Sequence, residues 1–310
     1  MHTPTLHSLP CLPFSDADFS SIVRLVQPLR PEEIRQAVQR ALAEDIGDGD
    51  VTTLATVPED ASAGALMAAR ETLVVAGLEL AEAAFSERSP KVKFERFARD
   101  GQRVTKGNNL MRISGPARAL LSGERVALNF VQRLSGIATL TAQFVDAVQS
   151  TRAQILDTRK TTPGWRRLEK YAVTCGGGRN HRFGLFDMVL IKDNHLVTLR
   201  DAQPDPITAA IKKARAKYPE LKVEVEADTL EQIEQAVAAG ADFVLLDNMN
   251  PIQLRLAVQK CQGGPQTEAS GGVTLATVRT IAETGVDFIS IGALTHSARA
   301  MDVGLDFESC

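Results

Sequence analysis

The sequence predicts an α/β protein: an open six-stranded β/α barrel with a smaller N-terminal α+β domain. Three observations carry this. Beyond about residue 137, short apolar runs alternate with helical stretches, the rhythm of parallel strands joined by crossover helices. The runs number six, too few for the eight-stranded barrel. Each run also discharges polar or glycine residues at its carboxyl end, where β/α barrels gather their active sites.

The elements follow in order. Residues 1–30, rich in Pro and Ser, read as a loose extension. "PEEIRQAVQRALAEDIG" (31–47) has apolar positions 34, 37, 38, 41 and 42, with Pro31 to start a helix and Gly47 to stop it. "DGDVTT" reads as a turn, 64–76 as strand and "LELAEAAFSE" as helix. "KVKFERFARDGQRVTKGNNLMRISG" gives two strands around turns at Asp100-Gly101 and Lys106-Gly107-Asn108. An amphipathic helix over 117–134, with Leu120, Leu121, Leu128 and Val131 on its apolar side, precedes a second helix over 137–149. The N-terminal domain is thus expected over 31–136 and the barrel over 137–296, with 297–310 packing back on the first domain. The six runs are 153–156, 187–191, 221–225, 242–246, the weak 266–269, and 286–291. Helices are expected over 205–217, 229–239, 251–260 and 274–284.

Composition excludes several classes. The 310 residues are 44% hydrophobic and 24% charged, with a formal net charge of −3, as in ordinary globular proteins. No global basic field exists to hold a nucleic-acid backbone. No apolar run reaches the length of a membrane span, and the N-terminus lacks the basic and apolar regions of a secretory signal. Cys11, Cys175, Cys261 and Cys310 form no CxxC, so neither a disulfide framework nor a zinc site is expected, and a reducing cytoplasm fits. Cys175, beside three glycines, reads as a small residue in a tight loop rather than a nucleophile.

Against this acidic background, residues 157–182 carry seven Arg and Lys and only two acids, a local +5. Arg159 and Lys160 directly continue a strand. With His181, Arg182 and Lys192 they make a cationic pocket if all face one mouth, and arginine forks match carboxylates. Arg166, Arg167 and Lys170 read instead as an exposed helix face, and Trp165 as packing. Glu226 and Asp247 end neighbouring strands, where paired acids suit a magnesium ion or ribose hydroxyls. Asp247 could also cap the helix near Pro251. Glu224 shares a face with Glu226, and one of the two could be a structural partner of Lys192. Ser270, Gly271 and Gly272, then Gly292 and Ala293, follow the last two strands and open helices, as phosphate cradles do.

These segments together resemble a known family. "DTRKTTPGWRRLEKYAV", "CGGGRNHRFGLFDMVLIKDNH", "VEVEADTLEQ", "LLDNM", "EASGGV" and "GVDFISIGAL" are similar to quinolinate phosphoribosyltransferases, as are "ALAEDIGDGDVTT" and "LLSGERVALNFVQRLSGIAT" upstream. The resemblance covers roughly 31–305. It implies joining quinolinate to phosphoribosyl pyrophosphate, with Mg2+, to give nicotinate mononucleotide, pyrophosphate and carbon dioxide in NAD biosynthesis. It implies a homodimer in which Arg125 reaches the partner's site. Thr158, Arg159, Lys160, His181, Arg182 and Lys192 would surround quinolinate. Lys160, Glu226 and Asp247 would be catalytic, the two acids facing ribose and metal, directly or through water. Ser270, Gly271, Gly272, Gly292 and Ala293 would hold phosphate.

Three other readings compete. A related transferase would act on another aromatic acid, such as nicotinate with its single carboxylate. A barrel aldolase would form a Schiff base on Lys192 or Lys160. A biotinyl- or lipoyl-carrier function is suggested by the rhythm of "DGQRVTKGNNLMRI", but an exposed lysine with recognition neighbours at a hairpin tip is not evident.

Overall fold

The computed structural model describes residues 28–308, so most of the expected N-terminal extension lies outside the described residues. The first half comprises α1 (Pro31–Ile46), α2 (Val51–Thr56), β1 (Ser62–Ala69), β2 (Leu73–Val74), α3 (Leu78–Ser86), β3 (Lys93–Arg96), β4 (Arg103–Val104), β5 (Asn109–Pro116) and α4 (Ala117–Ala147). The second comprises β6 (Gln154–Leu156), α5 (Arg166–Cys175), β7 (Val189–Ile191), α6 (Asp193–Val197), α7 (Pro206–Lys217), β8 (Val223–Ala227), α8 (Leu230–Ala238) and β9 (Phe243–Asp247). It ends with α9 (Pro251–Lys260), β10 (Gln266–Ser270), α10 (Val278–Ala282), β11 (Phe288–Ser290), α11 (Ala293–His296) and β12 (Val303–Phe307).

Two sheets dominate. One is antiparallel, in the order β12-β1-β5-β3, so the C-terminal strand returns to pair with the N-terminal half. The other is parallel, in the order β6-β11-β10-β9-β8-β7. In that order the strands run consecutively round a barrel that is open between β6 and β7. The segment at Arg179 partly fills the opening: its amide donates to Ile155 O (2.8 Å), and Asp157 N donates to Arg179 O (3.1 Å).

Period-two alternation divides the parallel strands between two environments. Val223, Val225, Val244, Leu246, Ala269 and Ile289 belong to the main apolar core. Their alternates Leu156, Phe243 and Phe288, with Met188, form a separate apolar plug. The Phe243 and Phe288 rings lie 6.3 Å apart at 54°, a favourable tilted arrangement. Glu224, Glu226, Asp247, Glu268, Ser270 and Ser290 share this alternate face by register. The inner face therefore mixes rings and acids, Glu224 pairing in register with Phe243 and Glu268 with Phe288, while Glu226, Asp247 and Ser270 lie further toward the carboxyl ends.

Three local expectations change. The two helices expected over 117–134 and 137–149 are one helix of 31 residues, α4, about 46 Å long, and the expected boundary at 136/137 falls inside it. Ser135-Gly136 looks like a break in sequence, but Gly136 has a packing role. A Cβ there would sit 1.9 Å from Arg299 O, where the chain crosses the helix on its way to β12. "DGDVTT" is not a simple turn, because Asp50 accepts the Thr53 amide (3.0 Å) and caps α2. The strand expected over 64–76 is interrupted after Ala69, and only Leu73–Val74 resumes it.

The crossing at Gly136 yields a stability prediction. Gly136→Ala should destabilise the fold by about 1–3 kcal/mol, the usual cost of overpacking, read as a lower urea midpoint. An unchanged midpoint would show that the crossing can relax.

Candidate active site

A pocket of about 620 Å³ opens at the carboxyl ends of the parallel strands. Thr158, Arg159 and Lys160 reach it from the end of β6, His181 and Arg182 from the segment beside β6, and Lys192 from the end of β7. Glu226 and Asp247 stand on the wall formed by β8 and β9. Ser270, Gly271 and Gly272 complete it beyond β10. Residues as far as 114 positions apart in sequence thus meet at one rim.

The cationic wall is held from beneath. Asp157, fully buried, accepts Lys170 Nζ (2.5 Å), Asn180 Nδ2 (2.6 Å) and the His181 amide (2.9 Å). Lys170, also fully buried, donates onward to His181 O (2.9 Å). Burial pushes the Asp157 carboxyl up and the Lys170 ammonium down, while their contact opposes both shifts. The pair fixes the backbone that aims His181 and Arg182. Glu169, fully buried as well, accepts the Thr162 amide (3.0 Å), its hydroxyl (2.8 Å) and Arg133 (3.0 Å), which ties down the loop carrying Lys160.

The exposed-face reading of Arg166, Arg167 and Lys170 is therefore wrong. Lys170 is a core residue. Arg166 donates to Phe183 O (3.0 Å), and Arg167 pairs with Glu33 of α1 (3.1 Å). A charge count alone could not tell these structural cations from the pocket cations. Trp165 packs as expected, stacked 5.3 Å from Phe130. Cys175 is no nucleophile: burial first, then Asp100 nearby, pushes its thiol up to about 12. The neighbouring Gly176 and Gly178 press against Ala138 and Thr141 of α4.

Inside the pocket, buried donors stand open. Among the described residues Arg159 Nε and Arg182 Nε have no hydrogen-bond partner. Such donors are costly unless a ligand supplies the acceptor. Lys192 and Glu226 form an ion pair (2.6 Å). Lys192 thus partners Glu226, while Glu224 partners His181 (3.0 Å). Asp247 is not a helix cap, because Asn250 caps α9 by accepting the Ile252 and Gln253 amides.

Only one of the two glycine turns opens a helix as expected: Gly292 is the N-cap of α11, which has just four residues, whereas α10 starts at Val278, well past Gly272. What the Gly271 turn offers is loop backbone. Gly271 has φ +96°, and a Cβ there would lie 2.1 Å from Asn248 Oδ1, while the space above Gly272 is open. Arg125, Gly292 and Ala293 are not on this wall. Arg125 is exposed on α4. Gly292 lies behind the Lys160 stem, its missing Cβ only 2.9 Å from Lys160 Cδ.

Sequence reasoning missed Glu268. It is 1% exposed, lines the pocket floor, and meets His181 and Glu224. The alternation Gln266, Glu268, Ser270 in the weak strand could have placed it inward. Burial opposes a charged His181, but Glu268 and Glu224 raise it to about 9. Arg182 N–H nevertheless donates to His181 Nδ1 (2.8 Å), leaving no room for a second ring proton. The ring proton sits on Nε2, facing Glu224.

Family models describing the C-terminal and N-terminal domains of quinolinate phosphoribosyl transferase match residues 137–306 and 50–135. The chain belongs to this family. It is 44% identical over 280 residues to nicotinate-nucleotide pyrophosphorylase [carboxylating] of Mycobacterium leprae, covering 88% of this chain and 96% of that one. A chloroplastic counterpart of that name from Oryza sativa subsp. japonica is 43% identical over 309 residues, covering 93% and 81%. The solved nicotinate-nucleotide pyrophosphorylase of Francisella tularensis superposes with a TM-score of 0.86 at 36% identity, covering 92% and 99%.

The clamp beneath the cations predicts a large effect. Lys170→Met leaves Asp157 buried without its partner and should cost about 3–5 kcal/mol of stability, measured by urea denaturation. A loss below about 1 kcal/mol would mean the pair is replaceable.

Proposed function

We propose that the chain transfers the phosphoribosyl group of phosphoribosyl pyrophosphate to the ring nitrogen of quinolinate and releases pyrophosphate and carbon dioxide, giving nicotinate mononucleotide. The carrying observation is the pair of open buried donors on Arg159 and Arg182, flanked by Lys160 and Lys192. Four cations at one mouth suit two carboxylates on one ring. The ring nitrogen is already a nucleophile, so no strong base is required. Glu226 and Asp247 face the sugar and stabilise the positive charge that grows at its anomeric carbon. Once the nitrogen is alkylated, the ring accepts the electrons left by the departing carboxylate. Lys160, at the rim, balances charge as that group leaves. Loop amides at Ser270–Gly272 cradle phosphate.

Magnesium fits the acids of β8 and β9, two oxygen donors of the kind a hard cation takes. Bound there with the pyrophosphate, it would neutralise leaving-group charge. Dimerisation is supported by Leu121, exposed one turn before Arg125, and by the exposed Val51 and Leu54 of α2, which packs on α4. Arg125 would then act in the partner's pocket. No helix of the described residues is long and apolar enough to cross a membrane. A cytoplasmic site is our reading of the scattered cysteines; the rice relative is named chloroplastic.

A Schiff-base aldolase finds less support, since Lys192 is ion-paired to Glu226.

Incubation with quinolinate, phosphoribosyl pyrophosphate and magnesium should release pyrophosphate and carbon dioxide in equal amounts. Arg159→Ala should weaken quinolinate binding by about 10- to 100-fold, one charge-assisted contact of about 1.5–3 kcal/mol, while pyrophosphate still binds. Unchanged quinolinate affinity would remove the clamp. Mixing inactive Arg125→Ala with inactive Lys192→Ala protein should restore activity, because hybrid dimers hold one intact site. No recovery after demonstrated subunit exchange would remove the shared site.

A further inference from the structure

One buried acid, Glu268, lines the pocket, and a second, Glu224, meets it at His181. Glu224 of β8 and Glu268 of β10 are at most 1% exposed and converge on His181. His181 Nε2 lies 3.0 Å from Glu224 Oε2 and 3.5 Å from Glu268 Oε2. Its single proton is given to Glu224, since Nδ1 is occupied by the Arg182 amide. Among the described residues neither oxygen of Glu268 has a hydrogen-bond partner of ordinary geometry, although the Ser290 hydroxyl of β11 is a neighbour that favours its charged form. A buried carboxylate without a donor is costly, and protonation removes the cost.

The surrounding charges have been placed. Asp157, at the end of β6, is matched by Lys170, and Arg159 follows it. Arg182 and Lys192 stand at the mouth with Glu226 and Asp247. Among the described residues no Arg or Lys lies within ion-pair distance of Glu268; only the His181 ring does. Burial, then the Glu224 charge, pushes the Glu268 carboxyl up to about 8.

We propose that Glu268 works as a carboxylic acid on the pocket floor, giving the dianionic aromatic substrate an uncharged hydrogen-bond donor, so that tight binding requires this proton. The proposal rests on quinolinate being the substrate. A carboxylate at this position would repel the incoming dianion; an acid accommodates it. The sign follows: Glu268 is protonated below about pH 8, so affinity is full there and falls as pH rises through that value.

The test is calorimetry of quinolinate binding to the full chain between pH 6.5 and 9.5, in buffers of different ionisation enthalpy. For the unaltered protein the Kd should rise at least about tenfold from pH 7.5 to 9.5, with uptake approaching one proton per site at the alkaline end. Glu268→Gln, which keeps an uncharged donor at every pH, should lose both the rise and the uptake. Glu224→Gln removes the neighbouring charge and should move the rise to lower pH. Absence of proton uptake by the unaltered protein at pH 9, or uptake that persists in Glu268→Gln, overturns the proposal. So does a stoichiometric metal that a chelator removes together with the pH dependence. Failure to bind quinolinate at any pH would instead overturn the substrate reading.

Discussion

The buried contact between Asp157 and Lys170 organises the pocket. It joins the end of β6 to α5 and, through the His181 amide and carbonyl, to the segment that fills the open side of the barrel. Two charges taken out of water gain little net stability from each other. What they gain here is direction: together they hold the His181 amide, the His181 carbonyl and the Asn180 side chain, and Arg182 follows at the same pocket as Arg159. A six-stranded barrel with a gap would otherwise leave that stretch as a free loop.

The alternation of the parallel strands sets the second layer. One face of each strand feeds the apolar core beneath the helices, and the other builds the barrel interior. Along each inner face the acids nearest the carboxyl ends, Glu226 and Asp247, reach the mouth. The same arrangement buries Glu224 and Glu268 deeply and leaves Glu226 and Asp247 near solvent. Depth separates the two acids that meet His181 from the two at the rim.

Much of this was legible in the sequence. Strand ends announced themselves because each apolar run stops at a charged or glycine residue, and Arg159, Lys192, Glu226 and Asp247 are where that pattern puts them. The resemblance to quinolinate phosphoribosyltransferases pointed to the same residues. What was not legible depended on partners distant in the chain. Lys170 looked like a surface lysine because nothing nearby in sequence declares that Asp157 waits for it in the core. Gly136 looked like a helix break because the chain that crosses it arrives more than 160 residues later. Glu268 was hidden in a weak strand, its significance set by His181 and Glu224 across the barrel.

The central claim is that the mouth of the barrel is built for two carboxylates on one ring. The most direct measurement compares the affinities of quinolinate and nicotinate, which carries one carboxylate, by calorimetry at neutral pH. The clamp predicts that quinolinate binds at least about tenfold more tightly, the worth of one charge-assisted contact. Equal affinity for the two acids would contradict it.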